Sequence, residues 1–304
     1  MINLDKGTGN MLYPVIDIGS NTVKIAVLDD EVLFKQAPVF FKAVPLNIKS
    51  KIREMRLPDA AIRELAELIK SFVEIAKRLT KNPPLAFATA SLRGLENMDQ
   101  VLQQVEEVSG IRVQVISGET EAYYSFLGAR GCVSAKAGIS VDLGGGSTEL
   151  LAFNGNRVVG SVSLPFGCLT LYHAFFEKAE LDSNGCEELI RKHLDEMAPS
   201  LPGNTILLSG GSAKAVLRYK NVLENKKNCT LTDEHFREVI EHFYHGDENE
   251  KAKIEEILKD RFRLIPPAVA VFTQIMKYYG KDRVLVCRSG VREGCLYHYL
   301  EKNK

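Results

Sequence analysis

One short pattern occurs twice in this chain, in two segments far apart, and it constrains the fold more than any other feature. Residues 15–26 and 140–151 each have the pattern of a strand, an aspartate, an apolar residue, a glycine-rich turn, a small hydroxyl residue and a second strand. The matched positions are Asp17 with Asp142, Gly19 with Gly144, and Thr22 with Ser147. A repeat this widely spaced is not a solenoid unit, and it predicts two related α/β domains that face each other.

Turns of this composition are suited to holding phosphate. Glycines let the backbone approach an anion closely, and consecutive N–H groups form an anion-binding concavity. A single such turn is typical of a structural hairpin, but a hairpin does not require an aspartate at the same place twice. The predicted phosphate-binding residues are Gly19, Ser20, Asn21, Thr22, Gly144, Gly145, Gly146, Ser147 and Thr148. Asp17 and Asp142, at strand ends, are the predicted ligands of a divalent cation, directly or through its waters.

Composition excludes some classes of function. Lys plus Arg equals Asp plus Glu at 39 each, which argues against a dedicated nucleic-acid binder but not against an anionic substrate in a local cleft field. Six cysteines without a C-x-x-C pair or metal-finger spacing indicate reduced thiols in a cytoplasmic protein. Residues 1–10 lack an apolar signal region and are expected to be a loose tail, and residues 265–276 are too short and proline-containing to span a membrane.

The chain is expected to divide near Gly131, which gives domains 1–130 and 131–304. Hydrophobic periodicity predicts a long amphipathic helix from Asp59 and a buried helix over residues 265–279. Short strands are expected over residues 85–89, 111–116 and 204–208, and helices over residues 119–128 and from Ala213.

Five segments, in order along nearly the whole chain, resemble the exopolyphosphatase/guanosine pentaphosphate phosphohydrolase family of the actin, Hsp70 and sugar-kinase superfamily. They are residues 15–22, 89–93, 116–122, 141–150 and 289–294. The resemblance implies an α/β protein with two actin-like (ribonuclease H-like) domains, each a mixed sheet flanked by helices, and an active site in the interdomain cleft. It also implies release of the terminal phosphate from polyphosphate or guanosine pentaphosphate, with Mg²⁺ or Mn²⁺ as cofactor, and a homodimer.

The same resemblance indicates the catalytic residues. Glu121 lies near the start of a helix, where a carboxylate can have the purely structural role of stabilising the first turn through the helix dipole. It matches, however, the family glutamate that positions the attacking water. Arg93 is either a surface arginine or a guanidinium clamp on a phosphate oxygen, and its match favours the clamp. Glu149 resembles an acidic residue close to the metal and the phosphate. Thr120 stands where relatives usually have a second glutamate directly before the catalytic one. Its absence leaves the assignment of Glu121 in place but leaves open how strongly its neighbours tune that carboxylate.

Several further residues are candidates for substrate contact. Lys24 follows the first turn, and Gly210, Gly211 and Ser212 open a helix where a packing turn and a phosphate contact are equally good interpretations. Residues 168–171 replace a segment in which relatives usually have an arginine, and Arg263 stands where they commonly have an aspartate. We expect both departures to affect substrate choice and not the fold. Histidines 235, 242 and 245 are interpreted as a solvated helix face, not as a metal site.

Two rival functions share both phosphate turns. The first is an ATP-dependent kinase of a small acid or sugar, and the second is a nucleotide-gated filament or chaperone-like switch. A sugar kinase usually has an aspartate as base and a longer chain, whereas this chain has a glutamate on a short helix. The sequence does not separate polyphosphate from guanosine pentaphosphate as substrate.

Overall fold

Two mixed β-sheets, each with helices packed against it, organise the chain. The computed structural model describes residues 11–177 and 182–303. The tail expected over residues 1–10 lies outside the described residues. This arrangement confirms the α/β class expected from the sequence, and each of the two repeated segments lies at the centre of its own sheet.

The first sheet has five strands in the order β3-β2-β1-β4-β5. They are β1 (Leu12–Ile18), β2 (Thr22–Asp29), β3 (Phe40–Pro45), β4 (Leu85–Ala88) and β5 (Gln114–Val115). β1 and β2 form an antiparallel hairpin, and β4 runs parallel to β1. Parallel strands end at the same edge of a sheet, so the end of β1 and the residues after β4 lie together. The strand expected over residues 111–116 is only two residues long, because β5 pairs only with Phe87 and Ala88 at the end of β4.

The second sheet has six strands in the order β10-β11-β9-β6-β7-β8. They are β6 (Ala137–Leu143), β7 (Thr148–Asn154), β8 (Arg157–Leu164), β9 (Thr205–Ser209), β10 (Thr230–Thr232) and β11 (Arg283–Val286). The β6–β7 hairpin is antiparallel and β9 runs parallel to β6, which repeats the relationship of β1, β2 and β4.

The two hairpins close in the same way. The N–H of Gly19 donates to the oxygen of Thr22 at 3.2 Å, and the N–H of Gly144 donates to the oxygen of Ser147 at 3.0 Å. The internal repeat predicted from the sequence is therefore confirmed down to one hydrogen bond.

Helices cover both sheets. They are α1 (Ile48–Lys51), α2 (Asp59–Leu79), α3 (Met98–Ser109), α4 (Gly118–Cys132), α5 (Cys168–Leu171), α6 (Ser183–Met197), α7 (Gly211–Leu223), α8 (Asp233–His245), α9 (Glu248–Leu258), α10 (Ile265–Tyr278) and α11 (Val291–Lys302). A π-helical turn covers Tyr172–Phe176, and a 3-10 segment covers Lys259–Leu264. α7 begins two residues earlier than the sequence indicates, at Gly211. In the described part of the chain, no helix is both long enough and apolar enough to cross a membrane.

Two of these helices join the sheets. α4 buries Phe126 against Phe153 of the second sheet, while its Tyr124 belongs to a cluster with Phe87 of the first sheet. α11, the last helix of the chain, packs along α4 and places Leu296 in the cluster of the first sheet. The expected boundary near residue 130 falls in the last turn of α4, so the domain limits stay a prediction. Through α4 the fold places Glu121 in the cleft that the two hairpin turns also line.

Candidate active site

The turns of the β1–β2 and β6–β7 hairpins lie against each other and line one cleft. The cleft has a volume of about 620 Å³, counting the space at its open mouth. A Cβ added at Gly146 would lie only 2.7 Å from Oγ of Ser20, which shows how closely the turns approach. The sequence-predicted site residues that line the cleft are Asp17, Gly19, Ser20, Asn21, Thr22, Lys24, Glu121, Asp142, Gly144, Gly145, Gly146, Ser147, Gly210 and Gly211. Four others, Arg93, Thr148, Glu149 and Ser212, are not among the lining residues.

The carbonyl groups of the second turn are held from behind by α5. The oxygen of Gly144 accepts from the N–H of Cys168 at 3.0 Å, and the oxygen of Gly145 accepts from the N–H groups of Leu169 and Thr170 at 3.0 and 3.2 Å. A trans peptide unit directs its C=O and its N–H to opposite sides. The N–H groups of Gly145 and Gly146 therefore point away from α5, and no hydrogen bond within residues 11–177 or 182–303 uses them. Successive N–H groups arranged in this way are typical of an anion-binding concavity.

The carbonyl groups of the first turn are held in the same way, by α1 and the two residues before it. The oxygen of Ser20 accepts from the N–H of Lys49 at 3.1 Å, and the oxygen of Asn21 accepts from Leu46 and Asn47 at 3.0 and 2.9 Å. By the same peptide geometry the N–H of Asn21 points away from α1. Both turns are thus fixed by short segments outside the repeated pattern.

Glu121 is held by an arginine at the wall of the cleft. Ser117 caps α4 by accepting from the N–H of Thr120 at 3.1 Å, which starts the helix that carries Glu121. The guanidinium of Arg93 forms an ion pair with the carboxylate of Glu121, and its Nη2 lies 3.9 Å from Oε1 of Glu149. A Cβ at Gly118 would lie 3.1 Å from Nη1 of Arg93 and would overlap Ser163. Glycine at this position thus leaves room for the arginine.

Burial raises the pKa of both glutamates and so favours their protonated forms. Burial raises the pKa of Glu121 well above its ordinary value, the nearby charge of Glu149 adds to the rise, and Arg93 opposes it. Burial, with the charge of Asp142, raises the pKa of Glu149 to about 7, although Ser147 and Ser163 donate hydrogen bonds to its carboxylate. Oε2 of Glu149 is buried without a hydrogen-bond partner. The site therefore accommodates an additional positive charge.

Asp17 is already paired with two cations. Its Oδ2 lies 3.3 Å from Nζ of Lys24 and 3.4 Å from Nη1 of Arg292. Lys24 lines the cleft as expected, but it is also a partner of Asp17. Arg292 belongs to one of the segments that resemble the family, yet sequence reasoning did not single it out, because its contact with Asp17 arises from the packing of α11.

Asp142 is the better placed of the two predicted metal ligands. Burial raises its pKa, while a hydrogen bond from Ser125 and the charge of Lys214 lower it. In the described part of the chain, no three His, Cys, Asp or Glu side chains group closely enough to hold a metal ion alone. Mg²⁺ is commonly held by one or two carboxylates, waters and substrate phosphate oxygens. Asp142 and Asp17 both line the cleft, and one or two carboxylates beside an open cleft fit that mode of binding.

Several other residues occupy positions that the sequence did not predict. Ser212 is buried, and its hydroxyl lies 3.9 Å from Sγ of Cys168, so it contacts the support of the second turn and not the cleft. Arg261 lines the cleft, whereas Arg263, which the sequence singled out, is exposed and is not a lining residue. His235 bonds to Thr232 and Glu224, and His242 bonds to Tyr219.

Comparisons with solved structures agree with this fold. The crystal structure of a Ppx/GppA family member from Aquifex aeolicus has a TM-score of 0.80 and 24% identity, and the match covers 97% of this chain and 99% of that chain. An exopolyphosphatase from Cytophaga hutchinsonii has a TM-score of 0.79 at 18% identity, covering 96% and 98% of the two chains. These structures share the two-domain, actin-like fold.

Sequence comparison gives the family. An uncharacterized protein of Streptomyces coelicolor is 28% identical over 323 residues, which covers 96% of this chain and 91% of that protein. The model of the Ppx/GppA phosphatase family matches residues 43–303, most of the chain. Because this model spans well over half of the chain, the chain belongs to the Ppx/GppA phosphatase family of phosphohydrolases.

Proposed function

We propose that this chain releases the terminal phosphate from inorganic polyphosphate, from guanosine pentaphosphate, or from both, with water as the nucleophile. The observation that supports this most directly is the position of Glu121. Its carboxylate lines the same cleft as the two turns whose free N–H groups suit a phosphoryl group. A water held by Glu121 would therefore face a phosphorus atom held by the turns.

In this reaction the water oxygen bonds to the terminal phosphorus, and the bond from that phosphorus to the bridging oxygen breaks. The bridging oxygen keeps the electron pair and leaves on the shortened chain. One proton of the water passes to Glu121 and then to solvent. Positioning and charge neutralisation supply most of the rate enhancement in phosphoryl transfer, and here N–H groups of Gly145 and Gly146 would receive the equatorial oxygens.

Arg93 has a more specific role in this proposal than the sequence indicates. Its guanidinium contacts the carboxylates of Glu121 and Glu149, and its Nε is buried without a partner. We assign it first to orienting Glu121 and favouring its ionised form. A direct contact with a phosphate oxygen, as expected from the sequence, requires the guanidinium to move off Glu121.

The proposed cofactor is Mg²⁺, and Mn²⁺ suits the same oxygen ligands. Asp142 would hold the ion, with Asp17 as the second carboxylate. Bound there, the ion would neutralise phosphate charge. The six cysteines are all free thiols, which suits the reducing cytoplasm expected from the sequence.

The test is phosphate release from tripolyphosphate, long polyphosphate, guanosine pentaphosphate and ATP in the presence of Mg²⁺. We expect release from at least one of the first three, and a loss of about 10²–10⁴ in turnover in Glu121→Gln. Glu119→Gln is the matched control, because Glu119 lies in the same helical turn and is exposed. Consumption of ATP only when a small acceptor is added would contradict hydrolysis and favour a kinase.

A further inference from the structure

A second cavity lies where the start of β1, the loop after β2 and the last turns of α11 meet. It has a volume of about 1200 Å³, counting the space at its open mouth. Among the described residues it shares no lining residue with the active-site cleft. We infer that this cavity binds an organic cation whose positive group carries apolar substituents. The inference does not depend on the proposed function, because it uses none of the phosphate-binding residues.

Aromatic rings form the walls of this cavity. The ring of Tyr13, in β1, meets the ring of Tyr299 edge-on, with 6.2 Å between the centroids. The rings of Phe34 and Tyr297 lie 5.6 Å apart, and all four residues line the cavity. Tyr297 and Tyr299 are 37% and 38% exposed, so part of their ring surface is still available to a ligand. The face of an aromatic ring carries partial negative charge, and several rings around one cavity therefore attract a cation.

A glycine in the last turn of α4 determines where one of these rings lies. A Cβ added at Gly131 would lie 2.3 Å from Cγ and 2.4 Å from both Cδ atoms of Phe34. Any other residue at position 131 would therefore push the ring away from the helix backbone. The absence of a side chain there lets Phe34 lie against α4 as a wall of the cavity.

The charged residues around the cavity are mostly acidic. Among the described lining residues, Asp30, Glu31 and Glu301 carry negative charge and Lys35 carries positive charge. Asp30 is half-buried, and its Oδ1 accepts from the N–H of Met11 at 3.0 Å, which fixes this carboxylate beside the start of β1. The excess of carboxylates favours a positive ligand, and the rings favour one with apolar substituents on the charged group.

The hydroxyl of Tyr13 is a further polar group at this cavity. Tyr13 is only 8% exposed, and in the described part of the chain its hydroxyl donates to Sδ of Met11, at 3.6 Å. A thioether is a weak acceptor, whereas a buried tyrosine hydroxyl usually has a full hydrogen-bond partner. An oxygen atom on the ligand would provide one. Choline, with a quaternary ammonium and a hydroxyl, is therefore a suitable probe.

The experiment measures binding of choline to the full chain by calorimetry, beside its uncharged analogue in which carbon replaces nitrogen. We expect choline to bind about 2- to 30-fold more tightly, the range that a cation near aromatic rings gives. Tyr299→Leu keeps apolar bulk but removes a ring, so it should weaken choline binding at least about 2-fold and leave binding of the analogue unchanged. Asp30→Asn keeps an acceptor for the N–H of Met11 and removes the charge, so it should also weaken choline binding alone.

Tyr278→Leu is the matched control. Tyr278 is 40% exposed at the end of α10 and does not line the cavity, so this variant should bind choline as wild type does. Equal affinities for choline and the uncharged analogue would overturn the inference, because charge would then play no part. So would an equal loss of choline binding in Tyr278→Leu and Tyr299→Leu, or no saturable binding by a wild-type chain that is folded as judged by its Tm.

Two other occupants of the cavity would give different results. If a second copy of this chain binds there, sedimentation should show a dimer that Tyr299→Leu dissociates, and choline should not bind. If the chain's own first residues fill the cavity, choline should bind only after residues 2–10 are deleted. Either result would overturn the inference.

Discussion

The thiol of Cys168 lies 3.2 Å from the backbone oxygen of Gly144, directly behind the second phosphate turn. The N–H of the same residue donates to the same oxygen, and the hydroxyl of Ser212 lies 3.9 Å from the sulfur. Cys168 thus connects the start of α7 with the turn. The segment in which relatives usually have an arginine is used in this chain to fix the direction of peptide groups.

We therefore expect Cys168→Ala to raise KM for tripolyphosphate by about 2- to 10-fold, the effect of one lost neutral hydrogen bond. The N–H of residue 168 still holds the oxygen of Gly144, which limits the loss. Cys168→Ser retains a donor and should lie closer to wild type. Cys186→Ala is the control, because Cys186 is also fully buried but lies in α6. Equal KM changes in Cys168→Ala and Cys186→Ala would show that the effect comes from lost packing and not from the lost hydrogen bond to Gly144.

The pH dependence of kcat/KM should report the ionisation of Glu121 and Glu149 as a pair. In the proposed mechanism Glu121 acts on water in its ionised form, and burial raises its pKa, so kcat/KM should rise with pH along a limb displaced above the ordinary range of a glutamate. The apparent pKa of this limb belongs to the coupled pair. Because Arg93 lowers the pKa of Glu121, Arg93→Gln should move the limb to higher pH. Arg112→Gln, at an exposed arginine, should leave it in place. A limb that moves to lower pH in Arg93→Gln would contradict this role.

Glu149 should make stability depend on pH. Its pKa is about 7 in the folded protein and 4.5 when unperturbed, so between these values the folded chain keeps a proton that the unfolded chain releases. Stability then falls as pH rises through this window, by up to about 3 kcal/mol. In Glu149→Gln the free energy of unfolding should fall less between pH 5 and pH 8. Urea unfolding at both pH values measures the difference, and Glu119→Gln should behave as wild type.

Removal of divalent cations should abolish turnover and leave the fold unchanged. Within residues 11–177 and 182–303 no cluster of side chains holds a metal alone, so the ion would depend on substrate oxygens and waters for most of its ligands. Chelation should therefore eliminate phosphate release, with recovery on adding Mg²⁺, while Tm changes by less than about one degree. A large fall in Tm would indicate a structural metal site and contradict this assignment.

The parts of the site that sequence could predict are those encoded within a few consecutive residues. Asp17 and Asp142 each lie in a strand–turn–strand pattern that local spacing marks, whereas Glu121 was indicated by the resemblance to the family, because a carboxylate at a helix start has no distinctive spacing of its own. Arg261 reaches the cleft, and Arg292 reaches Asp17, only through the packing of late elements on distant ones. No local pattern marks such a contact.

The same distinction applies to the fold. The central hairpins and α2 have strong apolar periodicity and were predicted. β3 was not, because it is an edge strand whose residues are mostly exposed, and β10 is only three residues long. Pairing with β2 and β11, not local pattern, defines these strands.

The contact between α4 and α11 should connect stability with turnover. A Cβ at Gly294 would overlap the backbone oxygen of Tyr124 in α4, and one at Gly128 would overlap the backbone of Gly290. Gly294→Ala must therefore separate the two helices, at a cost of about 1–3 kcal/mol in the free energy of unfolding. Because α4 carries Glu121 and α11 carries Arg292, kcat should fall as well. Lys302→Ala, at an exposed position of α11, should change neither quantity. A Gly294→Ala protein that is less stable but has wild-type kcat would show that the helix pair does not position the active site.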